Sequence, residues 1–181
     1  MTLHQDNSPD EKLIANYGSS PQGRVVVIDT GKQTLSLYQA GKCLQAWDIS
    51  TATRGVGNRI DSLQTPLGAH RIAEKIGADC QANTIFKGRQ DTGQQASILK
   101  QACSSGEDLV TSRILWLRGV EDGKNLNGDV DTYQRYIYIH GTPEEGLIGQ
   151  PASHGCIRMR NDDIVELFEQ IETDTLVYIT E

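Results

Sequence analysis

No stretch of this chain approaches the ~20 consecutive apolar residues of a membrane-spanning helix. The polar opening, Met1 to Gly23, has Leu13-Ile14-Ala15 as its longest apolar run. A secretory leader needs a charged start and roughly 7–15 apolar residues. A chain that begins this way is expected to stay in the cytoplasm, or to be periplasmic if a leader has been removed. Long basic runs are missing too. With a net charge of -7 and a pI near 5.1, nucleic acid and anionic membrane surfaces are disfavoured partners. No C-x-x-C spacing occurs among Cys43, Cys80, Cys103 and Cys156, so thioredoxin chemistry and zinc knuckles have no support. A cytosolic chain would keep these thiols reduced. Aromatics are few, and there is no internal repeat or low-complexity tract.

Glycine, by contrast, is abundant: 18 of 181 residues. With modest helix-forming content, that leans toward β structure with many turns. Residues 1–23 read as a loose arm, with turn signals at Asn7-Ser8-Pro9-Asp10 and Gly18-Ser19-Ser20-Pro21. A folded domain follows over 24–181. Arg24 to Asp29 reads as a buried strand, Thr34 to Tyr38 as its hairpin partner and Cys43 to Ser50 as a third strand. Residues 51–69 form a Gly/Thr/Arg-rich loop. Further strands are expected at His70 to Ile76, Val110 to Leu117, Tyr136 to Ile139 and Asp174 to Thr180. Residues 77–108 are polar and weakly patterned. Ile164, Leu167, Phe168 and Ile171 recur at helical spacing, with Asn161 as the expected N-cap and Asp162 and Asp163 in the first turn.

The chemistry concentrates in Ser153-His154-Gly155-Cys156. Cys156 lies 16 positions after His140, which ends an apolar strand-like run. A thiol within reach of an imidazole is the minimum kit for nucleophilic acyl transfer. At neutral pH a thiol is only a few per cent thiolate, so it needs a base or a positive environment. His140, His154, Arg158 and Arg160 are the candidates. Gly155 would let a substrate carbonyl approach the backbone. His140 needs an acceptor for its second ring nitrogen, and a carbonyl such as that of Gly141 would serve. His154 sits two residues before Cys156, on the same face of an extended segment, and competes for the base role. A lone cysteine is more often a structural one; the surrounding His and Gly residues argue against that here.

Three weaker patterns are set aside. His140, His154 and Cys156 offer three zinc ligands, but no fourth lies at a familiar spacing. Gly55-Val56-Gly57 lacks the third glycine of a dinucleotide loop, and Asn125 to Asp131 lacks the EF-hand ligand order. Neither a metal nor another cofactor is expected. Arg54, Arg59, Arg71, Arg158 and Arg160 would form a carboxylate-binding site if the 51–69 loop meets the cysteine. Cys43, Cys80, Cys103, His4 and His70 read as structural or surface residues.

Taken together, Ile139-His140-Gly141-Thr142 and Ser153-His154-Gly155-Cys156-Ile157-Arg158-Met159 resemble the YkuD-like L,D-transpeptidase catalytic domain. Gly55-Val56-Gly57-Asn58-Arg59 and Thr65-Pro66-Leu67-Gly68 resemble that family's upstream Thr-Pro-x-Gly segment. The resemblance runs from about Arg24 to Thr180. It implies a mainly β, sandwich-like fold with one or a few short helices, so that 24–181 is the catalytic domain. It implies peptidoglycan stem peptides as partners, cut between diaminopimelate and D-Ala. It also implies Cys156 as nucleophile, His140 as base and the Gly141 carbonyl as its orienting acceptor. Ser153, His154, Gly155 and Arg158 would line the site, and N–H groups near Gly155 and Cys156 would face the oxyanion. Unexported members are expected to act as L,D-carboxypeptidases that release D-Ala from the tetrapeptide in murein recycling. The alternatives are 3-3 cross-linking or D-amino-acid exchange by an L,D-transpeptidase, and a binding module without turnover.

Overall fold

In the computed structural model, which describes residues 8–181, apolar alternation becomes ten strands and two α-helices. The first seven residues of the expected arm, His4 and Asn7 among them, lie outside the described residues. In chain order the elements are α1 (Pro9–Tyr17), β1 (Arg24–Asp29), β2 (Thr34–Gln39), β3 (Lys42–Asp48), β4 (Gly68–Ile76), β5 (Thr84–Lys87), β6 (Gln90–Gln95), β7 (Val110–Gly119), β8 (Tyr138–Gly141), β9 (Ile157–Met159), α2 (Asn161–Gln170) and β10 (Leu176–Thr180).

β1, β2 and β3 form an antiparallel meander. β10 runs parallel to β1 on its other edge, and β4 and then β7 follow antiparallel. β7 also carries β8, which pairs in parallel with β9. The sheet then curls on itself. Ser50 and Arg158 exchange two backbone hydrogen bonds of 2.9 and 2.8 Å, joining the end of the first meander to β9. Inside the curl, Val26, Ile28, Leu35, Leu37, Leu115, Ile139, Ile157 and Met159 pack against Ile164, Leu167, Phe168 and Ile171. Each such side chain contributes roughly 1.5–3 kcal/mol by leaving water. The mainly β fold expected from glycine content and alternation is the fold observed. Among the described residues no helix is long and apolar enough to cross a membrane.

Three local expectations need correction, and one stretch left unread gains its structure. Residues 9–17 are a helix, not loose arm. Pro9 opens it, the Ser8 N–H donates to Glu11 Oε2 (3.2 Å), and Leu13 packs with Val25 and Leu176. The stretch 77–108 contains the β5–β6 hairpin, whose second strand is exposed along its whole length and so has no apolar alternation to read. β8 starts at Tyr138, because Tyr136 sits at φ +56° and breaks the extended run. Finally, Arg160 rather than Asn161 takes the capping position of α2. The Asn161 amide is buried instead. Its Oδ1 accepts from Thr111 Oγ1 and Ser112 Oγ (2.6 Å each), and its Nδ2 donates to Thr142 O and Glu145 Oε1 (2.8 Å each).

Candidate active site

Two short parallel strands set the cysteine and the histidine on one face of the sheet. The register pairs Ile139 with Ile157, His140 with Arg158 and Gly141 with Met159. Alternation sends Ile139, Ile157 and Met159 into the core and puts His140, Arg158 and Cys156 on the other face. His140 and Cys156 are diagonal neighbours on that face, Cys156 standing two residues before the Arg158 that pairs with His140.

A turn just before β9 aims the cysteine. The Ser153 hydroxyl donates to Cys156 O (2.6 Å) and accepts from Gly155 N–H (3.2 Å). Gly155 adopts φ +134°, and a Cβ there would lie 3.2 Å from Ile137 Cδ1. That backbone conformation strains any other residue. Thr65 Oγ1 donates to Gly155 O (3.0 Å), and Thr53 N–H donates to Ser153 O (3.0 Å). The 51–69 loop does therefore meet the cysteine segment, as the sequence required for a shared site. The Cys156 sulfur is partly buried. It accepts from Tyr138 N–H (3.3 Å) and donates to Tyr136 O (3.4 Å).

His140 is buried at the end of β8. Its Nδ1 donates to Gly141 O at 2.7 Å, which leaves Nε2 as the basic nitrogen. Gly141 is the close-approach glycine of this strand: a Cβ would lie 2.7 Å from both Thr111 O and Asn161 Oδ1. Burial lowers the His140 pKa, opposed by the nearby Asp108 carboxylate and the Gly141 carbonyl. Burial likewise pushes the Cys156 thiol up to about 12, against the Tyr138 N–H. Burial thus favours the uncharged form of both groups. The cationic groups around the sulfur do not offset its desolvation.

Arg158 is one reason. It is 2% exposed, and its guanidinium is held by Glu144 Oε2 (2.9 Å) and Asp108 Oδ1 (2.5 Å), so its charge is already matched. Burial alone would raise the Asp108 carboxyl, but the charge of Arg158 and the hydrogen bonds from His154 and Arg158 carry it below the ordinary carboxylate range. His154 is exposed and its Nδ1 lies 2.8 Å from Asp108 Oδ2, so its ring is engaged away from the sulfur. The other arginines of the expected cluster disperse. Arg59 pairs with Asp129, Arg160 with Asp48 and Asp163, and Arg71 donates to Tyr17 O, Ser19 O and Asp174 O. Arg54 is exposed.

The open space lies on both sides of His154. One cavity of about 440 Å³ is lined by Glu107, Asp108, Glu144, Pro151, His154 and Arg158 among others. A second, of about 250 Å³, is lined by Ile60, Leu63, Arg135, Tyr136, Ile137 and His154 among others. Of the residues expected to line the site, His154 borders both cavities and Arg158 the larger one. Ser153 and Gly155 are buried and shape the turn. Among the described residues, no three His, Cys, Asp or Glu side chains converge as metal ligands. Sequence reasoning missed Asp108, Arg135 and Glu144. Asp108 ends the unpatterned 77–108 stretch, Arg135 lies in the turn ahead of β8, and Glu144 follows Thr142 in a loop. Nothing in their local spacing distinguishes them.

A family model described as YkuD, the L,D-transpeptidase catalytic domain, matches residues 23–179. A Bacillus subtilis (strain 168) protein named "Putative L,D-transpeptidase YkuD" is 30% identical over 162 residues, covering 85% of this chain and 90% of that one. Another from the same strain, named "Putative L,D-transpeptidase YqjB", is 51% identical over 60 residues, which are 33% of this chain and 31% of that relative. L,D-transpeptidase 3 from Mycobacterium tuberculosis superposes with a TM-score of 0.53 at 14% identity, over 87% of this chain and 60% of that one. At that identity the likeness is one of fold.

Proposed function

Because this chain belongs to the L,D-transpeptidase catalytic domain family, we propose that it is a cysteine acyl-transfer enzyme of peptidoglycan stem peptides, with water as its acceptor. The observation that carries this reading is the shared face of β8 and β9. There Cys156, two residues before the Arg158 that pairs with His140, shares a face with an imidazole whose Nδ1 is tied to Gly141 O at 2.7 Å. As Sγ attacks the diaminopimelate carbonyl of the bond to D-Ala, Nε2 takes the thiol proton and passes it to the departing amine of D-Ala. The C–N bond breaks and a thioester forms. Water then attacks the thioester, gives a proton to Nε2 and restores the thiol. The Cys156 N–H is the oxyanion donor of choice, since the Gly155 N–H is already given to Ser153 Oγ. In this reading Cys156 is the nucleophile, His140 the base and Gly141 its orienting acceptor.

The size of the smaller cavity supports hydrolysis. At about 250 Å³ it suits a single small residue, and refilling it with water or a free D-amino acid asks less than seating a second stem. The outcome is an L,D-carboxypeptidase acting on the tetrapeptide L-Ala-D-Glu-mDAP-D-Ala in murein recycling. All four cysteines are free, which suits a cytoplasmic setting. The test is to incubate the purified protein with that tetrapeptide and follow the products by mass spectrometry. Tripeptide and D-Ala are expected, with both lost in Cys156→Ala. Cross-linked dimer without tripeptide would overturn the hydrolytic assignment, and full activity in Cys156→Ala would overturn the nucleophile.

A further inference from the structure

Arg135 holds a charge that its protein partners do not neutralise. Its Nη1 donates to Gly57 O (3.2 Å), and its Nη2 donates to Gln64 O (2.7 Å) and Ser62 Oγ (3.2 Å). Each acceptor is neutral, and no carboxylate among the described residues comes within 4.0 Å of this guanidinium. The contrast with Arg158, gripped by two carboxylates, is direct. Backbone carbonyls fix the fork of an arginine but leave its charge to be answered by something else. Arg135 is half-buried, and its field reaches the Cys156 sulfur.

The walls around it are as telling. Large apolar side chains are seldom left open to water in one cluster. Yet Ile60, Leu63 and Tyr136, 50%, 40% and 54% exposed, line the same 250 Å³ cavity as Arg135. Asp61 lines the same cavity and, among the described residues, forms no ion pair with Arg135. A fixed cation in a small cavity with an apolar wall, one of whose residues, Tyr136, accepts from the Cys156 sulfur through its carbonyl (3.4 Å), describes a receptor for a small amino acid with a free carboxylate.

We propose that Arg135 is the specificity residue that binds the C-terminal carboxylate of the residue the enzyme releases, with its side chain against Ile60, Leu63 and Tyr136. The inference rests on the acyl-transfer reading above and extends it to how the substrate's end is read. In the scissile peptide that carboxylate is one residue from the attacked carbonyl, and Arg135 is tied by its bond to Gln64 O (2.7 Å) to the carbonyl that also packs against Gly155, the residue before the cysteine. The guanidinium cluster expected from Arg54, Arg59, Arg71, Arg158 and Arg160 is thereby replaced by one arginine from a different segment.

The experiment compares kcat/KM for the tetrapeptide with its counterpart carrying a C-terminal amide, in wild type, Arg135→Gln and Arg135→Lys. Wild type is expected to favour the acid by roughly tenfold to a hundredfold, the value of one charge-assisted contact. The preference should fall to near unity in Arg135→Gln and survive in part in Arg135→Lys. Each ratio is taken within one protein, so a reduced folded fraction cancels. An undiminished preference in Arg135→Gln, or equal cleavage of both peptides by wild type, overturns the role of Arg135 while leaving the enzymatic reading intact. If wild type cleaves neither peptide, the enzymatic reading itself fails.

Discussion

Burial holds the Cys156 thiol and the His140 imidazole in their uncharged forms, pushing one pKa up and the other down. In the proposed mechanism proton transfer then accompanies attack, with the imidazole as a general base and not the partner of a standing ion pair. This has a direct readout. Alkylation of Cys156 by iodoacetamide, followed on its own peptide because Cys43 and Cys103 are exposed, is expected to speed up steadily through pH 9. A rate that is already flat below pH 7 would show a preformed thiolate and contradict the neutral pair. His140→Ala should lower kcat by about 10²–10⁴ while slow alkylation persists. Residues such as Cys156 and His140 were legible because their chemistry is rare and their spacing local. Arg135 and Asp108 were not. Arg135 acquires its meaning from Gly57 and Gln64, and Asp108 from His154 and Arg158, partners that only folding supplies.

At the scale of elements, residues 99–108 form a strap over one side of the cleft. Leu99 N–H donates to Pro143 O (2.7 Å), and Gly146 N–H donates to Leu99 O (2.9 Å). Lys100 pairs with Glu145, and Ser104 Oγ and Ser105 Oγ both donate to Glu144 Oε1 (2.9 Å each). Asp108 then ties the strap to Arg158 and His154. Asp108→Asn keeps the shape and removes the charge. Arg158 retains Glu144, so the expected cost is about 1–2 kcal/mol, kept low by the partial exposure of Asp108. Hydrogen exchange across 100–108 should quicken. The Asp108 carboxylate also favours the protonated form of His140. Its loss should move the acid limb of the kcat profile to lower pH. Unchanged exchange in the strap together with an unmoved limb would rule out this tie. The strap could not be read ahead of the fold because its contacts are polar and non-periodic. α2 was legible for the opposite reason: Ile164, Leu167, Phe168 and Ile171 repeat a helix period into one core. The three-residue strand β9 lies below what alternation can detect, although it carries the parallel pairing that assembles the site.

Across the whole molecule, alternation, turns and glycine content pointed to a mainly β chain. The curl of the sheet was beyond them, since it depends on Ser50 meeting Arg158 more than a hundred positions away. Stability of that closed sheet should carry a histidine signature. His70 on β4 is fully buried, with Nδ1 donating to Gly68 O (2.9 Å) and Nε2 accepting from Thr132 Oγ1 (3.0 Å). The neutral ring is satisfied on both sides, and burial lowers its pKa from 6.5 to about 4. In the unfolded chain the ring gains a proton below about 6.5, whereas in the fold it resists until about 4. The unfolded state therefore binds more protons in this window, and stability rises with pH across it. The His70 contribution is complete above pH 6.5 and is lost as the pH falls toward 4, by an amount on the order of 3 kcal/mol. Buried His140 shifts in the same direction and adds to the slope. The lowered carboxyls of Asp108, Glu121 and Glu144 act at lower pH, near and below their ordinary values of 3.8 to 4.5. Urea melts from pH 7 to pH 4 should thus show a steady loss in the wild type. His70→Gln should start lower at pH 7, having lost fitted hydrogen bonds, and decline less steeply. If the two proteins lose stability in parallel between pH 6.5 and pH 4, His70 is not the proton-linked group and its burial is not what makes the fold acid-sensitive.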